Sequence, residues 1–577
     1  MLGALFVGLS NYYTVNSFSY ARKAIDHVAK RINDGETEGV TNELFGFALT
    51  ILGLALLSGL FLFLTRQTII VMSRYIEYDL KNEIFRHYQS LDASFYKRNN
   101  TGDLMNRISE DVSRVRMYIG PAVMYVINTS FRFILTIAVM LNVNATLTLY
   151  VLLPMPVLAL SIYYISSVIS NKSTVIQQQL SNITTFTQEA FSGIRVMKSY
   201  GRETDSYNKF ISQNNEYKKR NIDLVKVEAM FHPTMVLLVG LSNLLIVYFG
   251  GLLAIEGKIS YGNIVEFILY VNALTWPIAS LGWVTSLIQR AAASQERINE
   301  FFNTTSGISI DLESGMTENK VVKNVMGDIR FENVSFTYPD TGIRALKNIS
   351  FDIPNGKSIA IIGRTGSGKS TLINLISRAY DVDEGAIYVN GNNIKKVNLP
   401  AYRSEIGVVP QEVFLFSDSI SNNIGFTINE DNSDREMRII EAAKLAAIYD
   451  NVQSFPNKFE TVLGERGVTL SGGQKQRISI ARALAMQPKL LLLDDCLSAV
   501  DTETEEEILN ALQQGSEKSK RTTVIVSHRI SSVKSADNII VLDHGEIVEQ
   551  GNHDTLMGKK GAYFNLFEEQ QLEAETL

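Results

Sequence analysis

The chain has 577 residues, room for two or more domains, with a net charge of −6 and a pI near 5.7. That balance argues against a general nucleic-acid binder, which would be basic, so no nucleic-acid partner is expected. A single cysteine, Cys496, rules out an intrachain disulfide and a cysteine-rich metal site.

The apolar residues are unevenly spread. Segments long enough to cross a bilayer, roughly 20 residues each, fall at 2–20, 44–72, 119–142, 145–169, 231–254 and 263–288. They predict an all-α domain over 1–305 with six membrane spans. Asn11, Tyr12, Tyr13 and Asn16 dilute the first, which begins abruptly, as if the N-terminus were shortened. It lacks a basic leader and a small-residue cleavage site, so it reads as a membrane helix rather than a signal peptide. Short turns at 142–145 and 256–263 alternate with two long connections. These carry Arg74, Lys81, Arg86, Lys97, Arg98, Arg107, Arg114 and Arg116, then Lys198, Arg202, Lys209, Lys218, Lys219 and Arg220. The positive-inside rule assigns both to the cytoplasm, as helical continuations of the spans.

Ionisable residues within spans are costly and point to function. Arg132 stands one helical turn from Asn128 on the same face, and Glu266 lies near the outer end of the sixth span. Both are candidates to line a cavity for a polar or anionic head group. The alternatives are that Arg132 pairs within the bundle and Glu266 reaches the outer interface. Arg66 reads as a snorkelling residue, and Trp276, Pro277 and Trp283 as packing, a kink or an aromatic lining.

A polar linker is expected at 306–326, followed by an α/β domain at 327–577. Short β-branched runs at 358–362, 406–409, 489–493, 522–526 and 538–542 alternate with helical stretches. After the first run comes Gly363-Arg364-Thr365-Gly366-Ser367-Gly368-Lys369-Ser370-Thr371, with a helix expected from 370 to 380. A glycine loop between a strand and a helix presents backbone N–H groups to phosphates, aided by the helix dipole. Lys369 is then placed for the β- and γ-phosphates of ATP and Ser370 for Mg²⁺. The run at 489–493 leads to Asp494, a Mg²⁺ ligand, and to Asp495, which would orient the attacking water. The run at 522–526 leads to Ser527 and His528, the latter a candidate γ-phosphate sensor. Leu470-Ser471-Gly472-Gly473-Gln474 opens a further helix expected at 475–485, whose first N–H groups can face an anion.

This set resembles the nucleotide-binding domain of ABC transporters, and with the spans it resembles an exporter-type half-transporter over essentially the whole chain. The resemblance implies that Tyr338 stacks on adenine and that Gln411 touches Mg²⁺ and completes the catalytic group of Asp495 and His528. It implies that residues 470–474 cap the γ-phosphate held by a second half-transporter, and that residues 498–501 form the loop beside them. Glu465 would belong to an exporter-specific loop that feels the membrane domain. The stretch 95–107 and the stretch with Glu189, Gly193 and Arg195 resemble the exporter's cytoplasmic segments. Expected partners are membrane lipid, the second half-transporter and an amphipathic drug, lipid or peptide, at the cytoplasmic membrane of a bacterium.

One residue departs from the family pattern. Asp495 stands where most members have Glu, and its carboxylate reaches about 1 Å less far, a misplacement that can cost about 100-fold in rate. The departure leans toward the weakened half of a heterodimer, while intact His528 and Gln411 keep a slow homodimer open. A regulatory or ATP-gated channel-like protein is the alternative from another class.

Overall fold

The computed structural model describes residues 1–35, 40–308, 325–464 and 470–576. The chain folds as two compact units, one of Met1–His87 with Gly102–Thr304, the other of Tyr88–Thr101 with Thr305–Leu577. Most of the expected linker, 309–324, and the loop residues Glu465, Arg466 and Gly467 lie outside the described residues.

The first unit is helical. In chain order come α1 (Leu2–Asn33), α2 (Val40–Thr65), α3 (Val71–Ser90), α4 (Ala93–Arg98), α5 (Thr101–Asn106), α6 (Val112–Met117) and α7 (Val123–Val143). Then follow α8 (Ala145–Leu152), α9 (Pro154–Ser192), α10 (Ile194–Ser199), α11 (Glu203–Ile255) and α12 (Tyr261–Phe302). Helix α4 and the first residue of α5 belong to the second unit. Among the described residues, five helical runs are long and apolar enough to cross a membrane: Val40–Ser90, Thr101–Val143, Ala145–Ser192, Glu203–Ile255 and Tyr261–Phe302. At 42 to 53 residues, each is about twice the length a bilayer needs. The excess extends the spans as stalks.

The first expected span lies in α1, which is not among those five because polar residues interrupt its apolar face. Those polar groups bond to neighbouring helices instead. The Ser10 hydroxyl donates to the Ser58 carbonyl at 3.0 Å, and the Thr14 and Ser58 hydroxyls are 2.8 Å apart. In a bilayer such bonds join helices where apolar contact alone discriminates little between partners. The short turn after α7 has a local cause. Asn144 is extended, and its side chain accepts from the Leu147 N–H at 2.9 Å, capping α8. The apolar centre of the unit includes Met140, Leu147, Leu158, Ile246, Phe267 and Leu274.

The second unit carries two sheets. Its strands and helices are β1 (Ile329–Thr337), β2 (Arg344–Ile353), β3 (Ser358–Ile362), α13 (Lys369–Ile376), β4 (Glu384–Val389), β5 (Asn392–Asn393), α14 (Leu399–Arg403) and β6 (Ile406–Val409). They continue with α15 (Ile420–Ile424), α16 (Arg435–Leu445), α17 (Tyr449–Gln453), α18 (Gly472–Ala485), β7 (Leu490–Asp494), α19 (Thr502–Ser519), β8 (Thr522–Ser527), β9 (Asn538–Asp543), β10 (Glu546–Gly551), α20 (His553–Lys559) and α21 (Ala562–Thr576). One sheet has the order β10-β9-β3-β8-β7-β6, parallel except for β10. Strands β3 and β7 are buried almost throughout, which is why they read as continuous apolar runs rather than alternating ones. The other sheet, β2-β1-β4-β5, is antiparallel and has no counterpart among the strand runs expected from the sequence.

Two helix starts differ from expectation. Helix α13 begins at Lys369 and α18 at Gly472, the latter three residues early. In α18 a reciprocal cap overrides the poor helix propensity of glycine. The Ser471 hydroxyl accepts from the Gln474 N–H at 3.3 Å, and the Gln474 side-chain oxygen accepts from the Ser471 N–H at 3.0 Å.

Candidate nucleotide site

The parallel sheet brings the phosphate-chemistry residues to one edge. In the order β3-β8-β7-β6, Ile362 is in register with Ser527, Asp494 with Val526, and Leu493 with Val409. The residues just beyond those carboxyl ends are Gly363, His528, Asp495 and, after Pro410, Gln411. Open α/β sheets bind ligands at such carboxyl ends.

The loop from 363 to 368 needs glycine at its two ends. A Cβ on Gly363 would stand 2.1 Å from the Leu542 carbonyl oxygen, and one on Gly368, at φ +102°, would stand 2.6 Å from that of Ala345. Lys369 is buried and its ammonium donates to the carbonyls of Gly363 at 2.8 Å and Arg364 at 2.9 Å. Burial depresses the Lys369 pKa to about 8, against the opposing pull of Asp495 and Asp494. The buried Ser367 hydroxyl has no protein partner among the described residues, as a group kept for an external acceptor would. Exposed Arg364 sends its side chain to Glu569 at 3.1 Å, so only its backbone belongs to the loop. Thr365 and Gly366 are exposed in the same loop, and the Thr371 hydroxyl sits 3.1 Å from that of Tyr338.

The Ser370 hydroxyl donates to the Asp494 carboxylate at 2.9 Å, and the Gln411 amide donates to that of Asp495 at 3.4 Å. Burial raises the Asp494 pKa, with the Ser370 hydrogen bond opposing. These oxygens form a hard donor set suited to Mg²⁺, which takes one or two carboxylates and otherwise substrate oxygens. Asp495 holds a left-handed backbone at φ 46°, its N–H bonded to the Val526 carbonyl at 2.9 Å. Aspartate tolerates that conformation better than most residues. His528 is half-buried; its carbonyl accepts from the Gln570 amide at 2.6 Å.

Tyr338 follows β1 and carries a cation on its ring. The Lys97 ammonium of α4 lies 4.3 Å from the ring centroid and 3.0 Å from the Asp340 carboxylate, whose hydrogen bond raises the Lys97 pKa. At the head of α18, Ser471 and Gly472 are exposed. The cap leaves the N–H groups of Gly472 and Gly473 without an intrahelical acceptor. Gln476, one turn on, accepts from the Ala499 N–H at 3.2 Å and so ties α18 to the loop at 498–501. Arg529 adds to this loop, donating to the Ser498 carbonyl at 3.0 Å and pairing with Glu505 at 2.9 Å. Gln476, Arg529 and Gln570 carried no motif signal, and Lys97 lay in the 95–107 stretch without a sign that it meets Tyr338; only tertiary proximity marks these roles.

In the first unit, Glu266 is fully buried and fully engaged. It accepts from the hydroxyls of Ser19 at 2.7 Å and Tyr270 at 2.8 Å and from the Asn263 amide at 3.2 Å, and it pairs with Arg22 at 3.6 Å. The expected cavity role for Glu266 therefore gives way to a clamp between α1 and α12. Arg132 donates through Nε to the Asn11 side-chain oxygen Oδ1 at 2.9 Å.

The family models decide the lineage. Residues 11–278 match the ABC transporter transmembrane region and residues 346–498 match the ABC transporter domain. The chain belongs to the ABC transporter family. It is 34% identical to the multidrug resistance-like ATP-binding protein MdlA of Escherichia coli (strain K12), over 94% of this chain and 90% of that protein. It is 32% identical to the ATP-dependent lipid A-core flippase of Haemophilus influenzae (strain 86-028NP), over 93% and 90% of the two chains. A solved bacterial Atm1-family ABC exporter with ATP bound superposes with a TM-score of 0.79 at 25% identity, covering 98% of this chain and 97% of its own. This ABC exporter is thus an ATP-hydrolysing transport protein of the bacterial cytoplasmic membrane, with its nucleotide-binding domain in the cytoplasm.

Proposed function

We propose that the protein exports or flips an amphipathic substrate as one half of a dimer, with residues 1–305 as the membrane domain, 306–326 as linker and 327–577 as the nucleotide-binding domain. The supporting observation is the convergence of Lys369, Ser370, Asp494, Asp495, His528 and Gln411 at the carboxyl ends of β3, β8, β7 and β6, while the phosphate-facing end of α18 is exposed. In this reading the N–H groups of 363–371 and the Lys369 ammonium hold the β- and γ-phosphates, and Tyr338 stacks on adenine with the ring face opposite Lys97. Ser370, Asp494 and Gln411 would hold Mg²⁺, which neutralises charge on the phosphate oxygens when bound. Asp495 orients the attacking water, and His528 reads the γ-phosphate. Ser471, Gly472, Gly473 and Gln474 present N–H groups and a helix dipole to the nucleotide held by the second half-transporter. Relatives named for drug resistance and for lipid flipping support an amphipathic substrate.

The aspartate favours a second, narrower reading within this one: a slowly hydrolysing half of a heterodimer. The test is ATP turnover by the full-length chain in lipid nanodiscs, with Lys369→Ala as the blank. Turnover well above the blank supports a homodimer. Turnover at the blank, raised by Asp495→Glu on the order of 100-fold through restored reach, supports the weakened half. Failure of wild type and Asp495→Glu alike, with no partner able to rescue, would remove the catalytic assignment.

A further inference from the structure

Arg132 differs from Glu266, the other in-span charge described above. Glu266 has four partners, whereas Arg132 has one, and that partner is neutral. Asn11 accepts from Arg132 Nε and donates its own amide to Asn128 at 2.8 Å and to the Val7 carbonyl at 3.0 Å. This relay between α1 and α7 aims the guanidinium without neutralising it. The remaining donors, on its two terminal nitrogens, have no protein acceptor among the described residues and are not sealed from the surface. No described carboxylate pairs with it.

Depth makes this arrangement informative. Arg132 lies twelve residues before Asn144, the end of α7, or about 18 Å along a helix. With a hydrocarbon core of about 30 Å, it sits near mid-membrane, out of snorkelling range. An unpaired cation there is costly against lipid and is tolerated facing an interior path. The same face of α7 carries Tyr125, Asn128 and Arg132, at helical spacings of three and four. Tyr125 meets the half-exposed Trp283 of α12 edge-on at 5.2 Å. An aromatic pair, an amide and a cation in line match an apolar body ending in an anion.

We infer that Arg132 is the anion-recognising residue of the transport path, and that the cargo is an amphiphile bearing a phosphate, carboxylate or sulfate. This rests on the exporter reading above and adds the sign of the cargo's charge. The anion comes either from a bilayer phospholipid or from a soluble amphiphile.

The test uses the full-length chain in nanodiscs and two readouts, ATP turnover and tryptophan fluorescence, since the chain's two tryptophans both lie in α12. In phosphatidylcholine discs, deoxycholate is titrated against an alkyl-trimethylammonium of similar apolar size. A parallel set of discs contains phosphatidylglycerol. Saturable, deoxycholate-selective quenching is expected, weakened about tenfold or more by Arg132→Gln, as loss of a charge-assisted hydrogen bond implies. Arg132→Lys should retain an intermediate response, and Asn11→Ala, which keeps the charge but not its aim, should also fall between. A phosphatidylglycerol-dependent rise in turnover, lost in Arg132→Gln, identifies the lipid as source; a deoxycholate response alone identifies the soluble amphiphile. Equal affinity for the cation, or wild-type deoxycholate binding by Arg132→Gln, overturns the inference. Selective binding without any effect on turnover, even in Asp495→Glu, counts against the exporter reading and leaves the anion site standing.

Discussion

Lys369 shows how a single side chain carries a pH dependence. Burial holds its pKa near 8 in the folded protein, against 10.5 for an unperturbed lysine. The unfolded chain therefore binds more protons between those values, and the folded state gains stability as pH rises through that window. Phosphate binding needs the charged form, so the sign reverses for ATP. Affinity should fall about fivefold between pH 8 and 9 as the lysine loses its proton. Calorimetry in buffers of differing ionisation enthalpy should also register proton uptake on binding. A flat affinity profile with no proton uptake would refute the assignment of Lys369 as the phosphate-facing cation. Asp495 carries a comparable tension, because its left-handed backbone suits aspartate while the longer reach of glutamate suits the chemistry. The identities of both residues were legible in the sequence. The depressed pKa and the left-handed backbone were not, because burial and φ are set by the strands around them.

At the scale of elements, helix α18 separates a structural role from a ligand role. Its capping box engages Ser471 and Gln474 with each other and leaves the glycine N–H groups free to face an anion. Ser471→Ala should cost about 1 kcal/mol of stability through loss of the cap, seen as a lowered melting temperature. Ser471→Asp keeps an N-cap acceptor and should melt near wild type; if the proposed second half-transporter presents its nucleotide here, the negative charge repels that phosphate and abolishes turnover. Wild-type turnover in Ser471→Asp would exclude this helix end from the nucleotide site. The cap spacing was present in the sequence as Ser471 and Gln474, yet the helix was expected only from 475, because the reciprocal hydrogen bonds that fix its start are seen only in the fold. The parallel strands β3, β6, β7, β8 and β9 were readable because burial on both faces gives each a run of mainly apolar, largely β-branched residues. The antiparallel sheet was not, since its long strands β1 and β2 mix exposed polar positions with buried ones and their register shifts break a strict alternation.

For the molecule as a whole, the polar residues of α1 explain how a weakly apolar helix is held in the membrane unit. Glu266 of α12 collects Ser19 and Arg22 of α1, and Asp26 of α1 accepts from the Ser260 hydroxyl at 2.8 Å and the Gly262 N–H at 2.8 Å. Glu266→Ala removes the acceptor shared by Arg22, Ser19, Tyr270 and the Asn263 amide and should cost about 3 kcal/mol or more, read as a drop in thermal stability in detergent. Glu266→Gln keeps an acceptor for both hydroxyls and should cost less. Equal melting temperatures for the two variants would mean that the clamp contributes nothing. This role was hidden from sequence reasoning, in which Glu266 was a candidate to line a cavity or to reach the outer interface. Ser19 and Glu266 stand 247 positions apart, and nothing local in the chain marks their contact.

The amino-acid sequence by itself determined the local chemistry: a glycine loop between strand and helix, acids at strand ends, apolar runs of bilayer length and basic connections between them. Each of these rests on neighbours along the chain, where spacing and side-chain type suffice. Tertiary structure alone decided which charges are answered. It buried Glu266 among donors, left Arg132 with a neutral partner, and laid Lys97 over Tyr338. The physical reason is that desolvation and pairing depend on which distant segments meet, and periodicity does not encode those meetings.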